Sequence, residues 1–252
     1  MLRTTTEPLS AQVARKIEAM VLAGGVLPGA KLPAERALSE QLDVSRTAVR
    51  EAIRLLEQRG LVDVQPGRGI FVARRTTDSI SRGLELMVKI EEASFTHLLE
   101  ARYHLEVPAA RLAALRRTNT NVERLGALVA QMEGSLWDVI RFREADQAFH
   151  LELAVATQNP LFSIWIQPVL AALDATRRGV AALPPVRERI VRCHREIFTA
   201  VEAGDTARAA AGMRAHLAQF ADDTFLAADL GMIRPLDADA ADSLRAVRDQ
   251  MG

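Results

Sequence analysis

The chain has 252 residues, enough for two domains with separate cores, and its 32 basic and 32 acidic side chains cancel. The charge is unevenly spread: residues 1–75 carry 12 Lys and Arg against 8 Asp and Glu, so the remainder is acidic by four charges. A basic front on an acidic body fits a nucleic-acid-binding head joined to a part with another task. Cys193 is the only cysteine, which excludes an intrachain disulfide. No signal peptide is evident and no apolar run approaches the roughly 20 residues that cross a bilayer, so a soluble cytoplasmic protein without a membrane partner is expected.

Residues 1–8, with three consecutive threonines and no periodicity, are expected to form a mobile arm. Leu9 to Leu22 is amphipathic, with Val13, Ile17, Met20 and Val21 inward, and Pro28-Gly29 then turns the chain. From Leu32 to Arg59 two short helices share an apolar face, Ala37, Leu38 and Leu42 in the first and Ala48, Val49, Ile53 and Leu56 in the second. Asp43 and Val44 make the turn between them, and Ser45 stands where an N-cap belongs, its hydroxyl able to take a free backbone N–H. Arg46, Thr47 and Arg50 then line the exposed start of the second helix, suited to guanine edges and phosphates in a DNA major groove. Residues 60–64 and 70–72 read as two strands around a turn, Gln65 to Gly69, with Arg68 at its tip. The plainer reading is a helical hairpin and a β-hairpin with solvated arginines. Helix, turn, helix and wing in that order, each presenting Arg, argue against it.

Residues 9–72 closely resemble the winged helix-turn-helix domain of the GntR transcription regulators. The likeness is carried by Pro28-Gly29, Leu32 to Arg36, Val44 to Ala52, Gly60-Leu61-Val62 and Gly67 to Val72. It implies that Arg36, Arg46, Thr47 and Arg50 contact DNA, with Ser45 among them at the helix start. It also implies that Gly67, Arg68 and Gly69 at the wing tip enter the adjacent minor groove.

Beyond a polar joint at residues 74–79 the chain is helical in period and rich in Ala and Leu. Helices are expected over about 79–91, 94–116, 119–134, 136–157, 159–179, 184–203 and 205–230, with breakers at Asn119, Asn159-Pro160, Pro184-Pro185 and Gly204. The fold class is mostly α: a winged helix-turn-helix (α+β) domain at 9–73, then an all-α antiparallel bundle of six or seven helices at 80–230. Residues 231–252 form a C-terminal extension that could hold one short helix and whose role is unreadable.

In this body Asp146 and His150 stand at i and i+4, one turn apart on one helix face. That spacing suits a metal, and equally a carboxylate that orients a histidine. His194 lies ten residues before Gly204 and His216 eleven after Asp205. At about 1.5 Å per residue both lie some 15–17 Å from that turn, level with each other if the helices pair antiparallel. Three imidazoles and a carboxylate would suit a divalent ion, zinc first, with nickel or manganese as alternatives. The plainer reading leaves each histidine a satisfied core or surface residue. His97 and His104 lack comparable partners.

Residues 84–228 resemble the FCD ligand-binding domain of the FadR branch of the GntR regulators. The marks are Leu99 to Arg102 with Leu105-Glu106, Asp146 with Phe149-His150, Asn159-Pro160-Leu161, and His194 with Ile197, Ala200, Asp205, Met213 and His216. The resemblance implies that Asp146, His150, His194 and His216 hold a metal and that Arg102 grips a carboxylate of the effector. By its residues alone Arg102 would be half of an exposed i, i+4 ion pair with Glu106, worth about 0.3–0.5 kcal/mol.

The function expected is therefore a homodimeric, sequence-specific DNA-binding transcription regulator. It would read a palindromic operator under control of a small carboxylate effector bound beside the metal. The alternative is a metal-dependent enzyme with an appended DNA-binding head, since such a site can activate water. Against it, no general base, nucleophile or phosphate loop stands near the histidines.

Overall fold

A computed structural model describes residues 7–23, 26–73 and 94–251. The chain divides into two compact units, Met1–Ile80 and Ser81–Gly252. The expected helix at 79–91, the joint at 74–79 and most of the arm fall outside the described residues.

In the first unit α1 (Leu9–Ala23), α2 (Glu35–Leu42) and α3 (Arg46–Gln58) precede an antiparallel hairpin of β1 (Val62–Gln65) and β2 (Gly69–Val72). Val13, Ile17, Leu38, Val49, Ile53, Leu56, Val62 and Ile70 form its core. Met20, expected inward, is 42% exposed, and Ala14 takes the inward place instead. Asp43 adopts the left-handed conformation at the end of α2 (φ 52°), and the Ser45 hydroxyl accepts the Ala48 N–H at 3.2 Å to start α3. The segment before α2 lies beside the wing: the Leu32 N–H donates to the Ile70 carbonyl at 2.8 Å and the Val72 N–H to that of Ala30 at 2.8 Å. Lys31 bridges to Phe71 there.

The second unit contains α4 (Phe95–Arg116), α5 (Asn119–Gly134), α6 (Val139–Ala156), α7 (Pro160–Ala172), α8 (Asp174–Ala181), α9 (Pro184–Ala203), α10 (Thr206–Asp229) and α11 (Ala238–Met251). The expected class, a winged helix-turn-helix followed by a helical bundle, is the class observed. Among the described residues the helix count of this unit exceeds the expected six or seven for two local reasons. The stretch expected as one helix at 159–179 breaks at Leu173 (φ −86°, ψ 0°), a fully packed position with no Gly or Pro to announce it. The C-terminal extension also folds as α11, burying Leu244, Val247 and Met251. In addition, α6 starts later than expected, because residues 135–137 turn and the Asp138 carboxylate caps the helix through the Arg141 N–H at 3.1 Å.

Packing places the site. Helix α4 lies against α6, α9 and α10, and runs on through Pro108. Gly204 closes α9 at φ 75°, which only glycine adopts freely, and Asp205 caps α10, so the two helices form a tight hairpin. Phe142, Phe149, Leu99, Met213 and Leu217 seal this core, each large side chain contributing about 1.5–3 kcal/mol by burial. His97 is used locally: its ring nitrogen and Ser94 form a capping box at the start of α4. His104 is exposed.

Candidate metal centre and DNA-reading head

Helices α6, α9 and α10 bring His150, His194 and His216 together. Their rings lie 4.6–5.2 Å apart, all three residues are buried, and one nitrogen of each comes within 4.8 Å of the others. Phe149 packs its ring edge-on against His194, at 4.5 Å between centroids. The fourth residue singled out, Asp146, reaches two of the three: Oδ1 is 3.2 Å from His194 Nε2 and 3.8 Å from His150 Nε2.

Neighbouring groups fix how the rings present themselves. His194 Nδ1 lies 2.8 Å from the Ile190 carbonyl, so it carries the hydrogen, and Nε2 faces the cluster without a hydrogen-bond partner. His150 Nδ1 is 2.5 Å from Glu106 Oε2, although the N–H does not point squarely at that oxygen. Its Nε2 faces inward, 3.4 Å from the Arg102 guanidinium. Burial pushes the His150 imidazole down to about 4, against the opposing pull of Glu106, so at neutral pH this contact is not an ion pair. Burial, reinforced by the neighbouring histidines and Arg102, likewise holds His216 well below the usual histidine range. Imidazole nitrogens turned inward in a dry interior, one of them without a hydrogen-bond partner, are the donor set a borderline divalent ion takes.

The surrounding charges differ from expectation. Arg102 and Glu106 are each 2% exposed, so their pair is buried, where the residues alone suggested an exposed helix face. The guanidinium donates through Nε to Glu106 Oε1 at 2.5 Å and covers the Phe220 ring at 5.2 Å. Glu106 thus stands behind His150, a position from which carboxylates orient metal-binding imidazoles. Burial alone would raise its pKa; Arg102 and His150 outweigh that and hold it far below the usual carboxylate range. Asp146 behaves similarly. Burial opposes its charge, yet the Arg177 guanidinium on its second oxygen keeps it ionised. Arg177 was not anticipated from sequence: it lies 31 residues away on α8, in a stretch read as part of a longer helix, with no local mark.

In the head, Arg46, Thr47, Arg50 and Arg68 are all exposed, on one helix and the wing. The Ser45 hydroxyl is committed to its cap. Arg36 pairs with Glu40 at 2.9 Å, and Arg50 lies 3.6 Å from Glu35, both pairs in solvent. Gly67 (φ 72°) and Gly69 (φ 120°) shape the wing tip. Arg68 and Lys31 each lie 5.9 Å from the Phe71 ring. Lys31 therefore adds a cation to the wing that its isolated place in the sequence did not signal.

Residues 9–72 match the model of the gntR family of bacterial regulatory proteins, and residues 97–219 match the FCD domain. The chain is 35% identical over 208 residues to the HTH-type transcriptional regulator LutR of Bacillus subtilis, covering 81% of this chain and 95% of that protein. The chain belongs to the GntR family. Another relative, the putative L-lactate dehydrogenase operon regulatory protein of Escherichia coli, is 30% identical over 217 residues, 83% of each chain. The Exu regulon transcriptional regulator of E. coli is 37% identical over 156 residues, 61% of this chain and 59% of that one. Among solved structures the Streptococcus agalactiae GntR shares the fold at TM-score 0.65 and 24% identity, covering 83% of this chain and 98% of that one. These GntR relatives are regulators rather than enzymes, and this chain is a transcription regulator that pairs a DNA-binding head with an FCD effector-binding body. No described helix is long and apolar enough to cross a membrane.

Proposed function

We propose that this regulator senses a small carboxylate bound beside a divalent metal ion, and that occupancy of that site sets its affinity for operator DNA. The observation that carries the reading is the buried histidine cluster, above all the unpartnered Nε2 of His194. His150, His194, His216 and Asp146 would hold the ion, zinc first with nickel or manganese as alternatives, and the ion would supply an electrophilic anchor for an acid. Arg102 borders the same space through His150 and would meet the carboxylate from the other side, where a planar, permanently charged donor suits a two-oxygen acceptor. The L-lactate dehydrogenase operon in one relative's name favours a hydroxy acid. At the other end Arg36, Ser45, Arg46, Thr47 and Arg50 would engage the major groove and Gly67, Arg68 and Gly69 the minor groove. A cytoplasmic homodimer would place two such heads on a palindromic operator. Differential contacts of the effector with two arrangements of the dimer would then change DNA affinity.

The test is calorimetric titration of metal-stripped protein with zinc, nickel and manganese, then of the loaded protein with L-lactate and related acids. Each stage is followed by a shift assay on an operator selected from random duplexes. Metal binding that His194→Ala lowers by at least 100-fold, followed by carboxylate binding that alters the shift, is expected. A wild-type protein that takes up none of the three ions would overturn the reading.

A further inference from the structure

The charged groups touching the histidine cluster are two carboxylates and two guanidinium groups, and they are already matched. Glu106 is paired with Arg102, and Asp146 is paired with Arg177. The interior around the cluster therefore carries no net negative charge to balance an incoming dication. Bulk water screens the site little, because Arg177, His150, His194 and His216 are each at most 7% exposed. A buried charge without a counter-charge is strongly disfavoured, so a ligand that brings negative charge into the site stabilises the ion there.

Arg177 is also held in place. Helix α8 is anchored at Asp174 by Arg143, and a Cβ at Gly179 would collide with Ile233 and come within 2.6 Å of the Met232 carbonyl oxygen. The turn after α10 thus packs closely on α8 two residues beyond Arg177, which fixes the backbone from which the guanidinium reaches Asp146. Residues 232 and 233 lie outside the stretch matched by the FCD model.

We propose that Arg177, by neutralising Asp146, makes the metal and the anionic effector depend on each other: the divalent ion binds tightly only with an anion beside it, and the anion only with the ion. This rests on the metal-and-carboxylate reading above and specifies how that site is regulated. Such coupling is reciprocal, so the factor by which the acid tightens the metal equals the factor by which the metal tightens the acid.

The experiment measures zinc affinity of the full chain by competition with a chromophoric chelator, with and without acetate or L-lactate, for wild type, Arg177→Gln and Arg177→Lys. In the wild type, saturating acid is expected to tighten zinc binding by 10-fold or more. Arg177→Gln is expected to bind zinc at least 10-fold more tightly than wild type without any acid, and to lose most of the acid's effect. Arg177→Lys, which keeps the charge, should stay close to wild type. A purely structural role for Arg177 gives the opposite sign, weaker zinc binding in Arg177→Gln, and that result overturns the proposal. So does wild-type zinc affinity that neither acid changes, a result that leaves the metal reading intact. Should Arg177→Gln fail to fold, the wild-type linkage decides alone; absence of any zinc binding overturns both readings.

Discussion

Two Arg–Glu pairs with the same i, i+4 spacing sit in the two halves of this protein and do opposite things. Arg36 and Glu40 in the head leave 74% and 67% of their side chains in water, whereas Arg102 and Glu106 in the body leave 2% each. The exposed pair is screened and replaceable by water, so its guanidinium is free to exchange Glu40 for a phosphate. The buried pair is desolvated and locked, and its partners His150 and Phe220 are held by the same lock. Spacing along a helix reveals that two side chains meet; the tertiary surroundings decide whether the pair is loose in solvent or held in a fixed position beside a buried site.

The largest expected effect lies in the body. Glu106→Ala strands a buried guanidinium and should destabilise the second unit by about 3–5 kcal/mol, lowering its melting temperature by roughly 6–20 °C. A loss under about 1 kcal/mol would show the pair to be as dispensable as a surface one. Acid should act on the same interior. The folded state keeps His150 neutral down to about 4, while in the unfolded chain it takes up a proton near 6.5. Its contribution is therefore complete above the ordinary histidine value and is lost as pH falls from there toward 4. His216 shifts in the same direction, and protonation of Asp146 extends the loss to lower pH. Thermal melts of the metal-free protein across that range, flat down to pH 4, would contradict this.

The head should answer in binding rather than stability. Arg46→Ala or Arg50→Ala should cost about 1–3 kcal/mol of discrimination at the base pairs they read, with melting unchanged because both side chains are exposed. Arg68→Ala at the wing should weaken every sequence alike and reduce the salt slope by about one. Shift assays on matched and mismatched duplexes at two salt concentrations separate the two behaviours.

Much of this was legible along the chain. Ser45 announced the start of α3, the glycines at 67 and 69 announced the wing, and equal distances from the turn at Gly204 brought His194 level with His216, because caps, turns and helical rise are local rules. What escaped was set by contacts distant in sequence. Leu173 ends a helix through its packing alone, and Met20 points outward although its period matches Ile17. Arg177 gains its meaning only where α8 meets Asp146. Glu106 was read beside Arg102, its neighbour on the helix, while His150, 44 positions on, gives it a second task.

The smallest effect tests the comparison most finely. Arg36 is the second residue of α2, where a cation opposes the helix dipole, and its pair with Glu40 returns only about 0.3–0.5 kcal/mol. The two terms nearly cancel, so Arg36→Ala should leave stability within about 0.5 kcal/mol of wild type. Stability thus gives no reason for an arginine at this position, whereas the proposed contact with DNA would. The same substitution should weaken operator binding and reduce its salt dependence by about one released counterion. If instead melting falls by the equivalent of more than about 1 kcal/mol while the operator shift stays put, Arg36 serves the fold rather than DNA, and exposure no longer marks an arginine that is free for a ligand.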